Sequence, residues 1–446
     1  MWSKNAVFYQ IYPLGFSGAP MENDFISDPV NRLDKIISWI PYLKTLGCNA
    51  LYLGPVFESD AHGYDTKDYF LVDRRLGTNN SLMDLSRHLH ANGMELVLDT
   101  VFNHVGRNFW AFLDLKEKKE LSAYKNWFSG VDFSRNNDYD DGFYYEGWYD
   151  AYNLVKLNLQ HEEVKKYLFE VLAFWIQHFE VDGLRLDVAE IMDKGFLHEM
   201  SVFVRDISPD CWLLGEVITG DYRQWVNPDM LDSCTNYEVY KALYESHNNR
   251  NYFDLAQTLN REYGNDGVYK DLYLYNFADN HDTTRIASIL ANNNHLIVLY
   301  TILFTLPGIP SIYYGSEWGI LGVKGQSSDD LLRPEITGLQ DISTSSLAQF
   351  IRVLADIRMS YPLLYDGAYK ELYVADQQLI FQRSMEGVVV IIAVNASHEM
   401  ATICCDTDVF YGAVLIDQLD QSYEVEISNK LCCDIPAYSA RIFTVR

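Results

Sequence analysis

Gly183-Leu184-Arg185-Leu186-Asp187-Val188 is an apolar run interrupted by one arginine and one aspartate. A run this short reads as a strand, and because side chains on a strand alternate faces, Arg185 and Asp187 point the same way. A guanidinium beside a carboxylate favours its ionised form. An ionised carboxylate aimed by a rigid strand meets the requirement for a carboxylate nucleophile. Taken alone, the same pattern is equally an ion pair capping a strand, so its neighbours in the chain decide the reading.

Working outward, helical periodicity is expected at 162–179 before this strand and at 194–206 after it, followed by a strand at 212–216. Toward the N-terminus the same alternation gives strands at 6–12, 50–53 and 95–99 with helices at 32–46 and 82–92. Toward the C-terminus it continues with strands at 230–233, 271–277 and 309–314. Eight strands, each followed by helical material, predict an α/β fold, a (β/α)8 TIM barrel, whose active site lies at the C-terminal ends of the strands. The rhythm pauses at 105–159, which is too long and too rich in Trp, Tyr, Phe and Asp for an ordinary connection and is expected to be a small inserted domain after strand 3. Beyond residue 361 the helical period gives way to short β runs. The expected division is therefore a barrel of residues 1–104 and 160–362, an insert of 105–159, and a C-terminal antiparallel β-sandwich domain of 363–446.

A chain of 446 residues is long enough for one large and one smaller core. Its formal charge of −27 repels phosphate backbones and anionic lipid, so neither nucleic acid nor membrane is an expected partner. With 32 tyrosines and 9 tryptophans, flat rings are abundant enough both to fill the core and to meet sugar rings. The start of the chain has no basic region leading into an apolar core, which predicts no signal peptide and a cytoplasmic location. Seven cysteines occur as singles and as two adjacent pairs without zinc-binding spacing. They are expected to be free buried thiols, with a C-terminal disulfide as the alternative.

Polar clusters fall at the ends of the expected barrel strands, where packing explains them least: 99–104 after the third, Arg185 and Asp187 on the fourth, Glu216 on the fifth, and Asn280-His281-Asp282 after the seventh. Three carboxylates at one mouth, Asp187, Glu216 and Asp282, exceed the pair a glycosidase requires. Arg185 should keep Asp187 charged for attack. Glu216, leaving an apolar strand, should hold a raised pKa and protonate the leaving oxygen, while Asp282 stabilises oxocarbenium-like charge or binds ring hydroxyls.

In this order the clusters resemble the four short motifs of glycoside hydrolase family 13, the α-amylase family, across nearly the whole chain. The resemblance implies that Asp187 is the nucleophile, Glu216 the general acid/base and Asp282 the transition-state stabiliser of a retaining double displacement with no cofactor in the chemical step. His62-Gly63-Tyr64-Asp65 is similar to the family's sugar platform, with Tyr64 stacking on the sugar at the cleavage subsite. His104, Arg185 and His281 match residues that bind that sugar's hydroxyls, and Asp329 and Arg333 a pair contacting the next sugar. Many members bind calcium through an asparagine matching Asn103 and carboxylates of the insert. Residues 138–142 offer such carboxylates but lack a full loop spacing and are read instead as a solvated acidic turn.

Within the family, residues 155–158 are similar to the M-P-K-L-N stretch of the neopullulanase, cyclomaltodextrinase and maltogenic amylase group, with Val155 in place of proline. Two departures stand out: Glu190-Ile191 replaces the group's Asn-Glu, and Ile218 occupies a position commonly held by tryptophan. That group's N-terminal β domain has no counterpart in these residues. The expected partner is an α-glucan oligosaccharide, the expected reaction hydrolysis of α-1,4 bonds in maltodextrins, cyclodextrins or starch fragments, and the expected assembly a monomer or homodimer. A 4-α-glucanotransferase or α-glucosidase on the same scaffold is the alternative, and a non-catalytic carbohydrate-binding protein a remote one.

Overall fold

Polar residues interrupt an otherwise apolar set of strands, and the computed structural model, which describes residues 1–325, 328–338 and 342–446, shows where they lie. The barrel strands are β1 (Phe8–Ile11), β2 (Ala50–Leu53), β3 (Glu95–Thr100), β4 (Gly183–Leu186), β5 (Trp212–Gly215), β6 (Ser233–Cys234), β7 (Tyr275–Phe277) and β8 (Ile309–Tyr313). All pair in parallel in the order β6-β5-β4-β3-β2-β1-β8-β7. A parallel bridge between Thr235 and Tyr275 and a hydrogen bond from Asn236 N to Tyr275 O (2.9 Å) join β6 to β7 and close the ring. The expected (β/α)8 barrel is therefore present.

Alternation along the strands divides the barrel interior into layers. Phe8, Ala50, Val97, Trp212, Leu214 and Tyr275 form a buried plug, with Phe8 and Trp212 ring centroids 5.2 Å apart. Two residues further along β1 and β3, on the same face, stand Gln10 and Asp99, and Asp99 is in register with Arg185. A dry aromatic floor thus supports a polar layer at the C-terminal end.

Helices α1 (Leu33–Leu46), α2 (Asn79–Ala91), α3 (Glu162–Phe179), α4 (Lys194–Ile207), α5 (Tyr237–Asn249), α6 (Tyr252–Tyr263), α7 (His295–Thr305) and α8 (Ser346–Ser360) surround the ring. Their boundaries follow local chemistry. A Thr78–Ser81 capping box starts α2 three residues before the position expected from its apolar period, and Asp193 caps α4 through Phe196 N at 2.9 Å. Strands β6 and β7 are shorter than expected, since only Ser233–Cys234 and Tyr275–Phe277 join the ordered ladder. Among the described residues no helix is long and apolar enough to cross a membrane.

Between β3 and α3, His104–Gly106, Gly147–Trp148 and Ala151–Lys156 form a three-stranded antiparallel sheet. Phe112, Phe128, Phe143 and Tyr145 pack beside it as a small core, which accounts for many rings of this stretch. After α8, Ala368–Val374, Gln378–Met385, Val388–Asn395, Ser439–Val445, Val414–Asp417 and Glu424–Glu426 form one antiparallel sheet, and Ala401–Cys405 with Leu431–Ile435 a second. Ile380, Ile391, Ile403, Leu415, Leu431 and Phe443 fill the space between them. Here the sulfur expectation needs correction: Cys404 and Cys432, facing each other across the two-stranded sheet, are joined as a disulfide, while Cys48, Cys211, Cys234, Cys405 and Cys433 remain buried thiols.

Two fully buried arginines meet where the C-terminal sheet packs on the barrel, and Arg383, on the sheet, ties the two together. Arg383 donates to the carbonyls of Thr305 (2.7 Å), Leu364 (2.6 Å) and Gly367 (2.7 Å), and Arg358 on α8 donates to Phe304 (2.8 Å) and Leu306 (3.2 Å). The last carbonyls of a helix have no partner within it and carry its negative end, so guanidinium groups suit the end of α7. Replacing Arg383 with Met removes the donors to Thr305, Leu364 and Gly367, of which Leu364 alone still receives Arg358 (3.3 Å). The expected loss is about 3 kcal/mol of unfolding free energy, read from a urea titration against the parent.

Candidate active site

Arg185 is the centre of the polar layer. Its Nη1 donates to Asp99 Oδ1 and Asp187 Oδ1, both at 2.9 Å, and its Nη2 lies 2.9 Å from Glu216 Oε1. One buried guanidinium therefore orients carboxylates from the ends of β3, β4 and β5. The ordered ladder of β4 stops at Leu186, and the backbone beyond it still reaches its neighbours: Asp187 N donates to Thr100 O (3.1 Å) and Glu216 N to Leu186 O (2.9 Å).

Just after Asp187 the chain turns sharply. Val188 has φ 44° and ψ 38°, a left-handed conformation that a β-branched residue adopts only under constraint. The turn aims Val188 N at Glu216 Oε2 (2.9 Å), so the Glu216 carboxyl is held from both sides. Backbone strain is thus located where it orients a carboxyl group.

Asp282 is positioned from the other side of the mouth. Its Oδ2 lies 2.9 Å from His281 Nε2, and Arg333 Nη2 donates to its Oδ1 at 2.8 Å. The His281 ring is sandwiched between Tyr64 (5.6 Å, 5°) and Tyr12 (6.1 Å, 9°), and its Nδ1 meets Gln10 Nε2 at 2.9 Å. Arg333 also donates from Nε to His281 O (3.0 Å) and lies over Tyr12, while Asp329 Oδ2 is 3.4 Å from its Nη2.

Electrostatics separates the three acids. Burial pushes Asp187 above the usual carboxyl range, against the pull of Arg185, and pushes Glu216 up in the same way. The expectation that Arg185 keeps Asp187 charged meets a competing demand, because the same guanidinium serves Asp99, Asp187 and Glu216. Each of Asp187 and Glu216 is thereby biased toward holding a proton. Burial acts on Asp282 too, but His281 and Arg333 outweigh it and hold that carboxyl well below its ordinary value.

The remaining expected site residues are also at this mouth. Tyr64 donates its hydroxyl to Asp99 Oδ2 (2.9 Å), beside Tyr52, which does the same, and it touches His281 Nε2. His62 is more open, at 36% side-chain exposure, and accepts from Tyr64 N through Nδ1 (3.3 Å). His104 is almost fully buried, with Nδ1 beside Asn103 Nδ2 (3.2 Å) and Nε2 unpaired, 4.0 Å from Asp187 Oδ2. Trp148 of the insert approaches the His104 ring at 6.1 Å.

Gln10, Tyr12, Tyr52 and Trp148 are contributors that sequence reasoning did not single out. Gln10 alone carried a signal, as the polar interruption of an apolar strand. The acidic turn at 138–142 is occupied by protein partners: Asp141 pairs with Arg107 (2.9 Å) and accepts from Asn137, and Asp140 accepts from Asn136. Asn103, the other expected calcium residue, directs its amide to His104. The carboxylate oxygens of Asp140 and Asp141 are turned to a cation and amides of the chain, so these two do not fit a calcium ligand set.

Comparison with known proteins agrees with this geometry. The family described as alpha amylase, catalytic domain, matches residues 10–347. Neopullulanase 2 of Thermoactinomyces vulgaris is 32% identical over 94% of this chain and 74% of its own length. A cyclomaltodextrinase of Geobacillus thermopakistaniensis (strain MAS1) is 29% identical over 100% of this chain and 77% of its own. Among solved structures, the ligand-free cyclic alpha-maltosyl-(1→6)-maltose hydrolase of Arthrobacter globiformis superposes with a TM-score of 0.83 at 26% identity, covering 100% of both chains.

The buried histidine provides a pH test of the site. Burial, with His62 nearby, lowers His104 to about 3, below the ordinary histidine value of 6.5. The unfolded chain therefore takes up this proton first, so His104 contributes stability above pH 6.5 that is lost as pH falls toward 3. Between pH 6.5 and 4.5 the parent should lose about 1.4 kcal/mol per pH unit more than His104→Gln, measured as unfolding free energy against pH.

Proposed function

The chain belongs to the α-amylase family, and from that premise we propose that Asp187, Glu216 and Asp282 carry out retaining hydrolysis of α-1,4-glucosidic bonds in maltodextrins, cyclodextrins or starch fragments. The observation that carries the reading is the division of labour around Arg185: two buried carboxyls held by one guanidinium and raised in pKa, with a third carboxylate held low by its own cations. Retaining cleavage asks for such a pair, one member to attack and one to protonate the leaving oxygen.

Asp187 Oδ1 is engaged by Arg185, which leaves Oδ2 as the attacking oxygen. The reactive arrangement has Glu216, at the end of β5, protonated and Asp187 ionised. As Oδ2 forms its bond to the anomeric carbon, the glycosidic bond breaks and Glu216 gives its proton to the departing oxygen. Positive charge growing on the sugar ring faces Asp282, whose carboxylate is 32% exposed to the mouth. Glu216, now ionised, then takes a proton from water, which attacks the glycosyl-enzyme and frees Asp187.

His104, Arg185 and His281 line the subsite of the sugar being cleaved, with Tyr64 beneath it and His62 at the rim. The unpaired Nε2 of buried His104 supports its part in this, because a polar atom in such a position needs a partner. Asp329 is placed by its pairing with Arg333 and meets the next sugar. No step of this chemistry requires a cofactor. We place the reaction in the cytoplasm, a reading supported by the likeness to an intracellular maltogenic amylase of Bacillus subtilis, 29% identical over 88% of this chain.

Asp187→Ala and Glu216→Ala should each lower kcat on maltoheptaose by about 10⁴-fold while leaving the melting temperature within a few degrees of the parent. Reducing-sugar release with a parallel melt checks both. Parent-like turnover by Asp187→Ala would falsify the assignment. A product chromatogram across maltodextrin, cyclodextrin and pullulan defines the substrate range. Early products longer than the substrate would identify transfer as the main reaction instead.

A further inference from the structure

Glu190 stands beyond the catalytic carboxyls, on the turn that follows Val188. Its Oε2 accepts two backbone hydrogen bonds from the segment after Glu216, from Ile218 N (2.9 Å) and Thr219 N (3.1 Å). Its own N–H donates to the Glu216 carbonyl (3.2 Å). Together with Val188 N on Glu216 Oε2, these contacts join the turn at 188–191 to the segment at 216–219 at successive points, on both sides of the Glu216 side chain.

The arrangement has a direction. A proton donor stands on the leaving-group side of the bond it cleaves, so the exposed residues that follow it flank the leaving sugar. Ile218, at 46% exposure, occupies that position, and Ile191, at 40%, lies on the other joined turn. Neither side chain has a polar group with which to hold a sugar hydroxyl. Glu190 commits its Oε2 to two N–H groups, so that oxygen serves the backbone and not a sugar hydroxyl.

We propose that Glu190 is a positioning residue for the proton donor: it clamps the segment carrying Glu216 and, with it, the apolar rim of Ile191 and Ile218 on the leaving-group side. This rests on the hydrolase reading above and deepens it. The clamp matters for a substrate whose leaving group needs a proton and little for one whose leaving group departs unaided.

The test compares kcat/KM on maltoheptaose and on α-maltosyl fluoride, because kcat/KM reports the steps through formation of the glycosyl-enzyme and fluoride leaves without strong acid assistance. Glu190→Ala should lower kcat/KM about 10²-fold on maltoheptaose, the effect of a small misplacement of a reacting group, and within about threefold on the fluoride. Glu190→Gln, whose amide oxygen still accepts both N–H groups, should restore maltoheptaose cleavage to within about threefold of the parent. Should Glu190→Ala melt early, Glu190→Asp, too short to reach both donors, is read by the same ratio. Equal losses on the two substrates, or no loss on either, overturn the positioning role. A parent protein that releases neither fluoride nor reducing sugar overturns the hydrolase reading itself, an outcome separate from the behaviour of the variants.

Discussion

A single buried guanidinium facing three carboxylates is the constraint from which the rest of the site follows. Arg185 cannot be neutralised at any ordinary pH, and removing it from water is tolerable only if its donors are all met. The carboxyl groups of Asp99, Asp187 and Glu216 meet them, which fixes the ends of β3, β4 and β5 relative to one another. The imbalance of charge then acts in the opposite sense: one cation is divided among several carboxyl groups, and burial raises the pKa of both Asp187 and Glu216. Structural stability and acid catalysis are two consequences of the same shortage of positive charge.

The second anchor lies across the mouth, where Arg333 and His281 hold Asp282. His281 is fixed by ring contacts on both faces and by Gln10 at its edge, so β1, the loop after β2 and the loop after β7 all contribute to one carboxylate. This group has what the Asp187–Glu216 pair lacks, which is a cation of its own, and it remains ionised. Three acids of similar chemistry thus differ in charge because their neighbours differ, not because of their depth alone.

The barrel was legible because its strands and helices differ in period, and the carboxylates because polar residues ending apolar strands have little structural explanation. Strand-by-strand limits were less legible: β6 and β7 are short because closure of the ring depends on a few long-range hydrogen bonds that no local pattern records. Arg185 beside Asp187 was readable from alternation, but the sharing of that guanidinium with Asp99 and Glu216 depends on register between strands far apart in sequence. The same is true of Arg333, which sequence order associates with Asp329 and the structure turns principally toward Asp282 and His281. Tyr12 and Trp148 gave no signal, since an aromatic residue in a ring-rich chain looks like core until its neighbours are known. The Cys404–Cys432 bond escaped for a similar reason, as adjacent cysteines do not reveal which of each pair faces outward.

The Thr305 carbonyl that receives Arg383 ends the helix leading directly into β8, the strand whose following loops supply Arg333. A side chain of the C-terminal sheet therefore completes the fold of a barrel segment. For evolution by recombination this means that the two parts are not freely interchangeable cassettes. A grafted sheet must bring a cation to the same place, or the recipient barrel must acquire another way to terminate that helix, and the natural seam for domain shuffling lies elsewhere than at the visible change from helices to strands.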